Sequence, residues 1–143
     1  MSSRDLHNNV HLKPLFTPVA AVTDNTAQVS AIIDTAGYES LTMALVTGIL
    51  SDADATFAVL VEDGNASNLS DASAVADKFL LGTEALASFT FADDGKCRKI
   101  GYVGPKRYVR VTVTPANNAG NLFLAGVAIL GHAKSAPTSN PPA

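Results

Sequence analysis

The stretch KCRKIGYVGPKRYVRVTV, residues 96–113, decides how this chain folds. It holds the only cysteine and six of the ten basic residues. Two runs, CRKIGYV (97–103) and RYVRVTVT (107–114), flank a Gly-Pro step at 104–105. Alternation with a period of two marks a half-buried strand, and Gly-Pro signals a change of chain direction. The stretch therefore reads as a β-hairpin turned near VGPK (103–106). Val109, Val111 and Val113 face inward, with Tyr108, Arg110 and Thr112 outward. On the same reading Cys97 lies on the face opposite Arg98, inward, as a small buried hydrophobe.

The pattern recurs outward from this stretch. TAQVSAIIDT (26–35) sets Val29, Ala31 and Ile33 on one face, and YESLTMALVTGIL (38–50) sets Leu41, Met43 and Leu45 on one face. ATFAVLVED (55–63) alternates Phe57, Val59 and Val61 against Ala58, Leu60 and Glu62. A short strand is expected around Phe89 and Phe91, and NLFLAGVAIL (121–130) closes the series. Turn clusters rich in Gly, Pro, Asp and Asn separate the runs. About eight strands so spaced predict an all-β, antiparallel β-sandwich or barrel. Residues 69–88 break the alternation. They read as a long crossing loop with one helical turn, N-capped by Asp71 and running through Ala76. Such a crossover favours a jelly-roll-like topology over a meander.

The chain has 143 residues, of which 47% are hydrophobic, with no tryptophan and a net charge of −3. That is enough for one buried core, and a mild negative charge argues against a nucleic-acid binder. One cysteine makes no internal disulfide. The opening MSSRDLHNNVHLKPLF has no apolar secretory core, and no apolar run reaches the roughly 18 residues of a membrane helix. A protein made in a cytoplasm, and not associated with a membrane, is expected. Both ends differ from the middle. Residues 1–13 are polar and residues 132–143 are rich in Pro and Ser, so they read as extended arms around a sandwich domain at 14–131.

No catalytic constellation emerges. Lys96, Arg98 and Lys99 favour a Cys97 thiolate, but a nucleophile needs a positioned base, and His7, His11 and His132 lie in the terminal segments. His7 and His11 are four apart without a helix to align them. Asp52 and Asp54 begin a D-x-D pattern without the rest of a calcium loop, and a turn explains them. GYVGPK lacks the phosphate-loop spacing. Lys106, Arg107 and Arg110 with Tyr102 and Tyr108 sketch a basic aromatic surface on an otherwise acidic chain. No cofactor, metal or small-molecule substrate is expected. Charge is segregated: from Asp52 to Asp94 there are nine acids and one base, and from Lys96 to Arg110 six bases and no acid. Opposite charges in separate blocks invite contact between copies, and bases on an edge strand also deter stray pairing.

Four segments together carry a resemblance: RDLHNNV (4–10), IIDTAGYESL (32–41), DASAVADKFLLGTEA (71–85) and KIGYVGPKRYVRVTVTP (99–115). They resemble the small minor capsid, decoration or cement proteins of tailed bacteriophages, from about Arg4 to Leu130, with IGYVGPKRYVRVTV as the most specific piece. The resemblance implies an antiparallel sandwich, a homotrimer, and a place on the exterior of an icosahedral head. There such a protein binds the major capsid protein and bridges capsomers. It carries no catalytic motif. Contacts to capsid or sister subunit are expected from Arg4, Asp5, His7, Asn8, Asn9, His11 and Lys13, and from Lys106, Arg107, Tyr108 and Arg110. Two other readings stay open. One is a head–tail junction or tail component. The other is a carbohydrate-binding module or hydrolase on the same fold, which would show two or three exposed coplanar aromatics on one sheet face.

Overall fold

The computed structural model describes residues 4–142. Residues 1–3 and 143, the outer tips of the two expected arms, lie outside the described residues. The described residues form eleven strands in two antiparallel sheets packed as a sandwich. Five strands carry most of the length: β4 (Tyr38–Leu50), β5 (Thr56–Gly64), β9 (Cys97–Tyr102), β10 (Tyr108–Ala116) and β11 (Leu122–Ala133). The first sheet has the order β1-β11-β4-β9-β7, with β1 at His11–Phe16 and β7 at Leu80–Leu81. The second has the order β2-β10-β5-β6, with β2 at Gln28–Val29 and β6 at Ser73–Ala74. There β3 (Ile33–Asp34) also pairs with β10, and β8 (Phe89–Thr90) with β5.

Consecutive long strands lie in opposite sheets, which is the jelly-roll-like alternation. This corrects the reading of residues 96–113. β9 pairs with β4 and β7, while β10 pairs with β5, β2 and β3. The VGPK segment is an arch that carries the chain from one sheet to the other, not a hairpin. A two-residue period says which face of a strand is buried and is silent on its neighbour. The arch is held from inside. The Tyr102 hydroxyl donates to Asp63 Oδ2 at 2.7 Å and accepts from the Lys106 amide at 3.1 Å. Burial, reinforced by the hydrogen bond to the Asp63 carboxylate, pushes the phenol well above its ordinary pKa, so it remains a donor.

The core lies where the inward rows of the two sheets meet. Leu41, Met43, Leu45, Ile100, Ala128 and Leu130 come from the first sheet; Phe57, Val59, Val61, Val109, Val111 and Val113 come from the second. The expected inward sets of β4, β5 and β10 are thus buried. Thr112 is buried too, between its cross-strand neighbours Val29 on β2 and Leu60 on β5. Each large side chain of this kind contributes about 1.5–3 kcal/mol when fully buried. Phe89 stacks on Phe57 with centroids 4.9 Å apart, whereas Phe91 lies exposed in the 3-10 turn that follows β8.

Two further expectations change. Val29 is 55% exposed while Ile33 is buried, because the run 26–35 breaks at Ser30 between β2 and β3. Ser30 turns inward: its amide donates to the Val111 carbonyl and its hydroxyl accepts from the Val111 amide, both at 2.9 Å. Asp71 caps no helix; its carboxylate accepts the Asn65 and Ala66 amides and closes the loop after β5. The helix α1 falls later, at Glu84–Ala87, where the Thr83 hydroxyl accepts from the Leu86 amide.

Replacing Tyr102 by Phe removes the donor to a buried carboxylate and the acceptor for Lys106. The expected outcome is a loss of about 1–3 kcal/mol with the fold retained, read from the urea unfolding midpoint. An unchanged midpoint would show that the arch does not depend on this hydroxyl.

Candidate functional site

The two sheets present different outer faces. On the second sheet the outward side chains of β10 and β5 are mixed: Arg110 Nε meets Glu62 Oε1 at 3.1 Å, with Leu60, Ala58 and Thr114 beyond. On the first sheet the register places outward residues in rows that cross the strands. Leu12, Ile129, Thr42, Gly101 and Leu81 form one row across all five strands. Pro14, Val127, Ala44 and Lys99 form the next, and Ala125, Val46 and Cys97 the third. Lys99 is the only charged residue in these rows.

This face has relief. Its middle is a floor of Thr42, Ala44 and Ala125. At one side Leu81 leans over Gly101, where an added Cβ would sit 2.9 Å from the Leu81 Cβ. At one end Phe123 leans over Gly48, where an added Cβ would sit 2.7 Å from the Phe123 Cβ. Glycine is needed at both places because a neighbour's side chain fills the space. Two shallow grooves flank the floor and meet at Thr42. One, about 590 Å³, runs past Leu81, Leu86, Cys97 and Gly101. The other, about 600 Å³, runs past Leu6, Val10, Ile129 and Ala136. Leu81 and Leu86 are 59% and 72% exposed.

Cys97 belongs to this outer face and is exposed, not buried as the sequence suggests. The phase of β9 is set by Ile100 and Tyr102, which point into the core, so Cys97 shares the outward side with Lys99 and Gly101. Among the described residues no three His, Cys, Asp or Glu side chains gather as a metal-binding group. Among the described residues, neither sheet face carries a row of exposed aromatics. Phe123 stands alone on the first sheet's outer face; Tyr38 stacks on the buried His11, and Tyr108 lies beneath the Arg107 guanidinium.

The residues singled out from the sequence fall in two groups. Arg4, Asp5, His7, Asn8 and Asn9 precede β1, and the Asp5 carboxylate accepts the Asn8 amide and the Asn8 side chain. His11 and Lys13 lie within β1, so the expected boundary at 13/14 cuts a strand. The boundary at 131/132 likewise falls inside β11. Alternation of His11 and Lys13 with apolar neighbours was the available sign. The two terminal segments hold each other, since the Thr138 amide donates to the Asn8 carbonyl and its hydroxyl to the Val10 carbonyl.

The second group sits in and beside β10 and is engaged within the chain. Arg107 donates to both Asp34 oxygens at 2.8 and 2.9 Å, Lys106 Nζ lies 3.7 Å from Asp63, and Arg110 pairs with Glu62. Arg98 pairs with Asp93 at 2.8 Å. Three of the six bases thus pair with acids of the acidic block inside the chain, Arg98 with Asp93, Lys106 with Asp63 and Arg110 with Glu62. β5 and β10 are neighbours, and the blocks face each other along that register.

No family model matches the chain, and no curated protein matches it. Among solved structures it is similar to the Clostridium thermocellum N-terminal endo-1,4-beta-D-xylanase 10B CBM22-1–GH10 modules complexed with xylohexaose. The two are 9% identical with a TM-score of 0.45, over 94% of this chain and 28% of that one. The chain thus spans little more than a quarter of that neighbour's length, and a likeness this slight carries no argument about function.

The Arg107 hydrogen bonds hold the Asp34 carboxyl below its ordinary value of 3.8, with the Ala36 amide and the Lys13 charge acting in the same direction. A lowered folded-state pKa stabilises the fold fully above the unfolded value and loses that contribution as pH falls through the folded one. Arg107→Ala is expected to lower the melting temperature at neutral pH. Its difference from the wild type should shrink once the pH drops below about 4. A difference that stays constant on acidification would refute the assignment.

Proposed function

We propose that this chain is a non-enzymatic virion structural protein that binds the exterior of a phage capsid and stabilises it by bridging capsomers. The observation that carries this reading is the outer face of the five-stranded sheet: three cross-strand rows of apolar and small side chains with one charge among them. Exposed apolar patches of more than a few hundred Å² on soluble proteins mark interaction sites, and an apolar sheet face of this kind fits another protein surface. The four quoted segments that resemble phage decoration proteins supply the virion context, and with it the homotrimer and the major capsid protein as partners.

The residues before β1 extend the same surface. Leu6 and Asn9 line the groove beside Ile129 and Thr42, so an arm at Arg4–Asn9 and the sheet face form one continuous region. Lys106, Arg107, Tyr108 and Arg110 lie on the other sheet. Their charges are balanced within the chain, and a capsid contact there would be polar.

Particles assembled from the neighbouring major capsid protein provide the test. Incubated with the full chain and sedimented, they are expected to carry it saturably, in hundreds of copies per particle. About a dozen copies at one vertex would instead indicate a junction role, by the closed symmetry of the shell. Deleting residues 1–9, which leaves β1 whole, is expected to weaken binding while leaving the sandwich folded, as read by circular dichroism. Absence of co-sedimentation, or a reproducible sugar-specific signal on a glycan array, would overturn the proposal.

A further inference from the structure

The rim of the first sheet is left open along the first half of β9. This strand pairs with β4 along its whole length, from Cys97 to Tyr102, but with β7 only at Gly101 and Tyr102. On that side the Val103 amide donates to the Phe79 carbonyl at 2.8 Å. Backbone groups alternate across an antiparallel ladder. Gly101, Lys99 and Cys97 therefore turn theirs the same way, toward β7. Among the described residues no strand lies there beside Lys99 and Cys97. The chain leaves the strand direction at Gly82, with φ +81°, and turns into α1.

Elsewhere the rims are closed. On the free side of β5 the Val61 amide donates to Glu84 Oε1 at 2.8 Å, and the Val59 amide to Ser88 Oγ at 3.0 Å. On the rim of β1 the Leu15 carbonyl accepts the Ala31 amide, the Val10 carbonyl accepts the Thr138 hydroxyl, and Pro14 has no amide to offer. At β9 only the Cys97 carbonyl is met from the side, by Arg98 Nη1 at 3.2 Å.

We infer that this notch takes an extended strand of a partner protein, apolar on its inner side and acidic on its outer side. The inference rests on the reading above only in taking another protein as the partner. The groove of about 590 Å³ lies along the open rim, lined by Leu81, Gly82 and Leu86 on one side and by Cys97, Lys99 and Gly101 on the other. Adding a strand at such a rim gives hydrogen bonds from the backbone and selectivity from the side chains.

Charge and period choose the occupant. No acid lines the groove, whose charged residues are Arg98 and Lys99. Arg98 is paired with Asp93, and Lys99 enters no ion pair among the described residues. A basic strand is repelled there, and an acidic one is drawn in. Because the side-chain period is two, the inner side chains of an added strand follow the row of buried Ile100 and are apolar. Its outer side chains follow Lys99 and are acidic. The bases that guard this rim against stray pairing thus also select what pairs with it.

The probe is a fluorescein-labelled hexapeptide of alternating Val and Glu, titrated into the full chain. Saturable binding by fluorescence polarisation is expected, with hydrogen exchange at the Cys97 and Lys99 amides slowed by about tenfold. N-methylating the backbone of the peptide should abolish both signals. Lys99→Glu, at an exposed position, should weaken binding by about tenfold or more with unchanged circular dichroism, and should turn the preference to a peptide of alternating Val and Lys. No binding, equal binding of the N-methylated peptide, or protection confined to other strands would overturn the inference. Protection of the two amides on raising the protein concentration alone would give the notch to a second copy and overturn it as well. The two readings fail separately. A chain that binds the peptide and ignores capsid particles would remove the decoration reading alone. One that binds particles but not the peptide would remove this inference alone.

Discussion

The inward rows of the two sheets close over one another, and the rest of the structure depends on that contact. Met43, Leu45 and Ile100 on one side, and Val61, Val111 and Val113 on the other, are almost wholly withdrawn from water. Because the side-chain period of a strand is two, burying one set fixes which residues are left outside. The same constraint that seals Met43 therefore presents Thr42 and Ala44, and the one that seals Ile100 presents Lys99 and Gly101. The outer face is a by-product of core registration in its position, but its apolar content is not. Nothing in the core requires residues 44, 46, 125 and 127 to be Ala, Val, Ala and Val.

The contrast between the two outer faces places the functional question on one side of the molecule. The second sheet balances its charges locally, with acids of β5 and β3 beside bases in and next to β10. The three outer rows of the first sheet carry one charge, Lys99. An ordinary solvated sheet face places polar residues outward; the second sheet does so in part, with Leu60 and Val29 also exposed, and the rows of the first do so least.

The sequence shows the class of fold and the inward sets of β4, β5 and β10, because long alternating runs report burial directly. It does not show strand neighbours. Residues 96–113 look the same whether they form a hairpin or an arch, and the deciding contact, Tyr102 with Asp63, spans 39 positions. Cys97 is misread for a related reason. At the start of a strand its phase is set by Ile100 and Tyr102, not by its own chemistry. The apolar outer face was visible in pieces, as Thr42 and Ala44 opposite Leu41 and Met43. It becomes a surface only when the register aligns β1, β11, β4, β9 and β7. The arm residues were found by composition, which does not distinguish a free segment from an edge strand, and His11 and Lys13 belong to the latter.

The place of β11 sets the order in which the molecule is made. It lies between β1 and β4, so the earliest strand has its ladder partner only in the latest one. A ribosome-bound chain that stops short of residue 122 has no template for β1, and β4 stands with one flank bare. Pairing on both sides of β11 is thus deferred until residues 122–133 have been made, and joining β1 to them must bridge more than a hundred positions at once. Until then the nascent polypeptide carries its apolar rows uncovered, a hazard that local turns alone do not remove.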